Sequence, residues 1–243
     1  MRLAANARRA GEALLSLFFP PHCASCGEST EAGVHLCDSC AGTVWPIKPP
    51  FCHRCSEPFD GAISDQFTCA NCGDRDLHFD CAVAPFLSRG IVREFIHRFK
   101  YDRERFLRLP LADWLAHGLE DDRVSTHPFD LIVPVPLHST RMRERGFNQA
   151  AELGALLSAR CGVPLGQVLE RTRYTQTQTR LDRQERMENL RNAFRVRQTA
   201  AVQNRHVMLV DDVFTTGSTV DECARILRDA GAASVRVMTV ARG

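Results

Sequence analysis

The run from His206 to Gly231, HVMLVDDVFTTGSTVDECARILRDAG, constrains the fold more than any other part of the chain. Val207–Val210 is a short apolar stretch with β-branched members, the pattern of a strand buried on both faces of a parallel sheet. Asp211 and Asp212 then stand at its carboxyl end. From Thr219 onward Val220, Cys223, Ala224 and Leu227 recur at helical spacing, and Gly231 stands where a C-cap belongs. Strand, acidic pair, small-residue loop and helix follow one another. In open α/β sheets, ligands bind outside the carboxyl ends of the strands, where such a loop lies.

The loop Thr215-Thr216-Gly217-Ser218-Thr219 offers backbone N–H groups at a helix N-terminus, hydroxyls, and one glycine that permits close approach, a combination suited to phosphate. The two carboxylates repel phosphate and suit neighbouring hydroxyls or a bridging metal, so a sugar phosphate satisfies both halves. The competing reading makes Ser218 a helix N-cap with Asp221 completing a capping box. The thirteen residues from Val207 to Thr219 resemble the phosphoribosyl-pyrophosphate (PRPP) signature of type I phosphoribosyltransferases. That resemblance implies that Asp211 and Asp212, the catalytic acidic pair, hold the ribose 2- and 3-hydroxyls while Thr215, Thr216, Gly217, Ser218 and Thr219 wrap the 5-phosphate.

Eight of the 11 cysteines fall in four Cys-x-x-Cys pairs. Cys23/Cys26 with Cys37/Cys40, and Cys52/Cys55 with Cys69/Cys72, can each supply four thiolates. Facing knuckles of this kind give the closed tetrahedral geometry of a structural Zn site, with no open position for catalysis. Sequential pairing predicts two zinc ribbons in tandem, with a cross-braced pairing of the first and third knuckles as the alternative. Metal-ligand spacing rather than disulfide spacing indicates reduced thiols. Nothing approaches the ~20 apolar residues of a membrane span. The stretch ending Leu14–Phe19 contains Glu12 and lacks a secretory cleavage pattern, so the expected location is cytoplasmic.

Residues 1–19 place apolar side chains at helical intervals before Pro20-Pro21, which predicts a short amphipathic helix. The composition changes near Asp74–Asp80, placing a domain boundary between residues 78 and 79. Phe79–Phe86 reads as an edge strand, since Pro85 cannot donate to a ladder on both sides. Ile91, Phe95, Ile96 and Phe99 form one helical face, and the basic stretch Arg98 to Arg108 follows. Phe129–Pro136 is an apolar strand whose carboxyl end comes beside that of Val207–Val210 if both are central and parallel. That places Arg141, Arg143 and Arg145 near a bound pyrophosphate, which arginine grips with two donors at once. Leu137, His138 and Arg141 complete the expected PRPP-binding set. Residues 171–197 hold eight arginines against three acids and read as a loop over an anionic ligand.

Taken in order, the Cys knuckles, Pro-Val-Pro-Leu-His-x-x-Arg from Pro134, Arg-Gly-Phe-Asn-Gln-Ala from Arg145, the Thr/Gln/Arg loop ending Asn-Ala-Phe at Phe194 and the PRPP signature closely resemble the ComF family. The resemblance implies an α/β fold of the type I phosphoribosyltransferase kind, a mainly parallel sheet flanked by helices, over 79–243. It implies a helix and double zinc ribbon over 1–78, two structural Zn, and Mg with PRPP. It further implies a protein that transfers or senses phosphoribosyl groups and is linked to DNA uptake, or a non-enzymatic single-stranded-DNA-binding competence factor regulated by PRPP. Other competence proteins are the implied partners.

Overall fold

Apolar runs of the C-terminal half pair as a parallel sheet, as their two-sided hydrophobicity requires. The strands are β1 (Ala82–Val83), β2 (Phe86–Leu87), β3 (Leu131–Pro134), β4 (Leu169–Arg171), β5 (Phe194–Val196), β6 (His206–Phe214) and β7 (Ser234–Arg242). The computed structural model describes residues 21–61, 63, 67–174, 191–197 and 199–243. The helix expected over 1–19 and residues 175–190 of the basic loop lie outside them.

The sheet order is β1-β7-β6-β3, with every pair parallel and β2 also on β7. β1 and β2 occupy successive stretches of one edge, Ala82 opposite Val237 and Phe86 opposite Ala241, interrupted at Ala84–Pro85. The proline therefore sits on an edge, as its missing N–H demands. β4 and β5 form a separate antiparallel ribbon. At the other end of this order, Leu131 to Pro134 lie opposite Val207 to Val210, so β3 is parallel to β6 as expected but is the terminal strand rather than a central one.

Helices α1 (Gly90–Tyr101), α2 (Arg108–Ala116), α3 (Ser139–Arg145), α4 (Gln149–Cys161) and α5 (Ser218–Asp229) connect these strands. α1 buries Val92, Phe95, Ile96 and Phe99, so Val92 takes the inner position expected for Ile91. Asn148 caps α4 by accepting from the Ala150 N–H, and Gly162 ends it with a φ of +75° that glycine adopts freely.

The chain divides into two compact units, Met1–Val44 and Trp45–Gly243. This division falls earlier than the boundary expected at 78/79, and packing explains the difference. Cys52, Cys55, Cys69 and Cys72 share one buried cluster with Leu77, Phe79, Val207, Leu209, Phe214 and Leu227. The second cysteine group is thus part of the larger unit's core. Arg54 donates to the Phe79 carbonyl at 3.1 Å, and Ser56, fully buried, donates to the Ala82 carbonyl at 2.9 Å and accepts from the Ala84 N–H and from Arg123. Arg242, at the end of β7, pairs with Glu57.

Candidate phosphoribosyl site and metal centres

The acidic pair lies inside β6 rather than at its end, which corrects the expectation that the strand stops at Val210. Asp211 still pairs with Thr239 of β7, and pairing continues to Phe214. On the other side β3 has ended at Pro134, opposite Val210. The two carboxylates therefore follow directly on the last β3 pair, at the point where one side of the strand loses its neighbour.

Asp212 is 6% exposed, and its carboxylate meets Lys100 Nζ of α1 at 2.7 Å. Asp211 accepts the Asp212 N–H at 2.9 Å. Burial, and then the Asp212 charge, push its carboxyl up to about 7, with Lys100 and Arg145 opposing the rise. Of the two carboxyls, Asp212 is the one paired with the lysine. Lys100 escaped the sequence reading as an individual residue, although it carried a signal. It falls four residues after Ile96, on the buried stripe of α1, where a lysine needs a partner.

The loop after β6 turns at Gly217, whose φ of +78° favours glycine; a Cβ there would stand 2.5 Å from the Phe214 ring. Ser218 is the first residue of α5, Gly217 is the N-cap, and no side chain caps the helix. The capping-box reading fails because Asp221 is engaged elsewhere. Asp221 accepts the His78 N–H at 2.8 Å and pairs with Arg75 at 3.7 Å. Thr216 and Ser218 hydroxyls lie 3.1 Å apart. The opening N–H groups of α5 have no partner within the helix, as at any helix start, and face the same turn as those hydroxyls.

The other predicted residues sit on the turn from β3 into α3. His138 caps α3, its Nδ1 accepting the Thr140 N–H at 3.2 Å, which leaves the proton of a neutral ring on Nε2. Arg141 lies over the Tyr174 ring at 5.9 Å and donates to Glu144 at 3.0 Å. Arg143 meets Thr140, while Arg145 donates to Gln149 at 2.9 Å and lies over Tyr101. Of these arginines, Arg145 acts on Asp211. A third cation acting there, after Lys100 and Arg145, is Arg171 of β4, whose side chain covers Phe194. Leu137 faces a cavity of about 1030 Å³ that is also lined by Arg105, Met142, Arg171, Arg195 and Arg197, and by none of residues 211–219. This cavity therefore does not contain the acidic pair or the loop.

The cysteines group as Cys23, Cys26, Cys37 and Cys40, and as Cys52, Cys55, Cys69 and Cys72, each set with its sulfurs within 4.8 Å of one another. This is the sequential pairing, and the cross-braced alternative is excluded. Tetrahedral Zn with Zn–S bonds of about 2.3 Å spaces its sulfurs about 3.8 Å apart. Cys26 and Cys37 Sγ lie 3.7 Å apart, and Cys55 and Cys69 Sγ 3.6 Å, so both sets fit the ion. His53, within the third knuckle, instead meets the Phe67 carbonyl at 2.9 Å. Cys81 is a buried core residue, whereas Cys161 at the end of α4 is only partly covered.

Two family models match the chain: a double zinc ribbon domain over residues 14–75 and a phosphoribosyl transferase domain over residues 145–243. Competence protein F of Haemophilus influenzae is 32% identical over 234 residues, covering 93% of this chain and 98% of its own. DNA utilization protein YhgH of Escherichia coli K12 is 34% identical over 211 residues, covering 85% and 90%. Competence protein ComFC of Streptococcus pneumoniae R6 is 26% identical over 205 residues, covering 79% and 87%. With a relative above 30% identity that matches nearly end to end, and with both domain models matched in order, this chain belongs to the ComF family of double-zinc-ribbon phosphoribosyltransferase-domain proteins.

Proposed function

We propose that the protein binds PRPP with Mg²⁺ at the β6–α5 turn and serves the handling of incoming DNA, as the names of its relatives suggest. The observation that carries the reading is the adjacency of an acidic pair, its buried member Asp212 held by Lys100, to a glycine-turned loop at a helix start. Asp211 and Asp212 would take the ribose hydroxyls, residues 215–219 the 5-phosphate, and Leu137, His138, Arg141 and Arg145 the pyrophosphate side. Displacing pyrophosphate from the anomeric carbon develops positive charge on the ribosyl ring, and a carboxylate pair nearby stabilises that charge.

Calorimetric titration with PRPP and Mg²⁺ tests the site. A ligand that binds only the native state raises its stability by RT ln(1 + [L]/Kd), so binding also raises the melting temperature. The Asp211→Asn, Asp212→Asn double variant should lose both signals. Unchanged affinity in that variant would remove the acidic pair from the ribose site. Release of pyrophosphate across a panel of bases and amines separates a transferase from a sensor.

A second reading, single-stranded DNA binding regulated by PRPP, is favoured by the arginines around the 1030 Å³ cavity. Contacts to three or four phosphates would give log affinity against log salt a slope of roughly −2 to −3. Competition by PRPP would show that the two ligands share those arginines.

A further inference from the structure

The second four-cysteine group ends at Cys72, and three residues later Arg75 reaches the phosphate loop. Its Nη1 donates to the Thr216 carbonyl at 2.9 Å, and its Nη2 pairs with Asp221 in the first turn of α5. Both side chains are close to buried, at 11% and 9% exposure. Asp221 in turn accepts the His78 N–H, so the segment leaving the cysteine knuckle is tied to both the loop and the helix it opens. The turn that launches this segment is itself held by the metal ligands, with the Gly73 N–H donating to the Cys69 carbonyl at 2.9 Å and the Cys69 N–H to Cys52 Sγ at 3.3 Å.

A trans peptide is planar, with its C=O and N–H on opposite sides. Fixing the Thr216 carbonyl on the Arg75 side therefore aims the Gly217 N–H the other way. Gly217 is the residue least able to hold its own orientation, since glycine populates more backbone conformations than any other. The guanidinium supplies the restraint that the sequence of the loop lacks.

We propose that Arg75 is a positioning residue for the phosphate loop, and that the second metal-held turn, through Arg75, sets the loop in the conformation that binds a phosphorylated ribose. This deepens the reading of the β6–α5 turn as a phosphoribosyl site and rests on it. The metal acts only by fixing the turn; the contact to the loop is made by the chain's own guanidinium.

Amide hydrogen exchange over residues 215–219, paired with titration of ribose 5-phosphate, tests the inference. In Arg75→Ala, exchange of these amides should quicken, and affinity should fall about ten- to hundredfold, the range for losing a charged hydrogen bond. Arg75→Lys keeps one donor and should recover part of the affinity. Cys69→Ser should reproduce the quickened exchange at 215–219; if it fails to fold, Arg75→Ala, which keeps all four thiolates, still decides. Unchanged exchange and affinity in Arg75→Ala would overturn the inference, and a folded Cys69→Ser protein with wild-type exchange would overturn its metal link. Failure of the wild-type protein to bind ribose 5-phosphate would overturn the reading of the site, while the exchange comparison still judges the coupling.

Discussion

Cys23, Cys26, Cys37 and Cys40 form a group in which Cys26 is exposed and Cys37 and Cys40 are only partly covered, whereas Cys52, Cys55, Cys69 and Cys72 are all at most 7% exposed. The first group belongs to the smaller compact unit, the second to the core of the larger one. One ligand spacing therefore serves two purposes. In the smaller unit the metal substitutes for a hydrophobic core that so short a segment cannot build. In the larger unit it is one buried cluster among aliphatic side chains, joined by hydrogen bonds to β1, to Arg123 and to the β6–α5 loop.

The residue after the first knuckle of each group repeats the contrast. Gly27 has φ +77° with open space around it, and Ser56 has φ +59° while fully buried. A positive φ at a non-glycine residue costs on the order of 1 kcal/mol or more and persists only where the surroundings demand it. At Ser56 the demand is visible, because its hydroxyl links the Ala82 carbonyl, the Ala84 N–H and Arg123.

The sharpest test of this comparison removes one thiolate from each group. Wild-type protein should carry close to two Zn by native mass spectrometry. Cys26→Ser should lose one Zn and leave the main thermal transition in place. Cys69→Ser should lose one Zn and abolish or strongly lower that transition, because structural Zn contributes on the order of 10 kcal/mol to folding in small cysteine-ligated sites. Equal effects of the two changes on the main transition would remove the distinction drawn here.

A smaller effect is expected at the paired turn residues. Ser56→Ala keeps the backbone strain and orphans buried groups, so it should destabilise the larger unit by about 1–3 kcal/mol in denaturant melts. Gly27→Ala should cost about 1 kcal/mol, confined to the smaller unit. A larger cost at Gly27 than at Ser56 would reverse the assignment of which knuckle the fold depends on.

The mildest difference concerns pH. Asp211 titrates at about 7 in the folded larger unit and near 4 when unfolded, so the folded state binds more protons between those values. Its contribution to stability is fully present below about pH 4 and is lost as pH rises through about 7. Melts of the larger unit should show this decline in the absence of ligand, and Asp211→Asn should flatten it. The transition of the smaller unit should not respond to that substitution.

Much of this arrangement was legible in local pattern. The apolar run before Asp211, the glycine at 217 and the cysteine spacings each report a conformation through their immediate neighbours. Less legible were contacts between residues far apart in sequence. The Lys100–Asp212 pair and the Arg75–Thr216 bond join segments more than a hundred residues apart, and neither end carries a periodic signal naming its partner. The length of β6 is hidden from local pattern for a related reason. Asp211 and Asp212 look like strand terminators, yet β7 continues to supply backbone partners as far as Phe214. The domain boundary near residue 78 followed composition, whereas compactness followed the burial of the second cysteine group.

The position of β7 between β6 and the β1–β2 edge also bears on how the protein is made. A ribosome releases the ligands of the second four-cysteine group by Cys72, but β7 is not complete until Arg242, roughly 170 residues later. At ordinary synthesis rates of about 5–20 residues per second, that interval is roughly 10 to 30 s. During it β1 and β2 have no strand to pair with, and β6, once made, exposes the edge that β7 will cover. The knuckles can capture metal throughout this period, so an ordered nub carrying Phe79 would await the sheet. The parallel ladder would then close late, around a seed already in place.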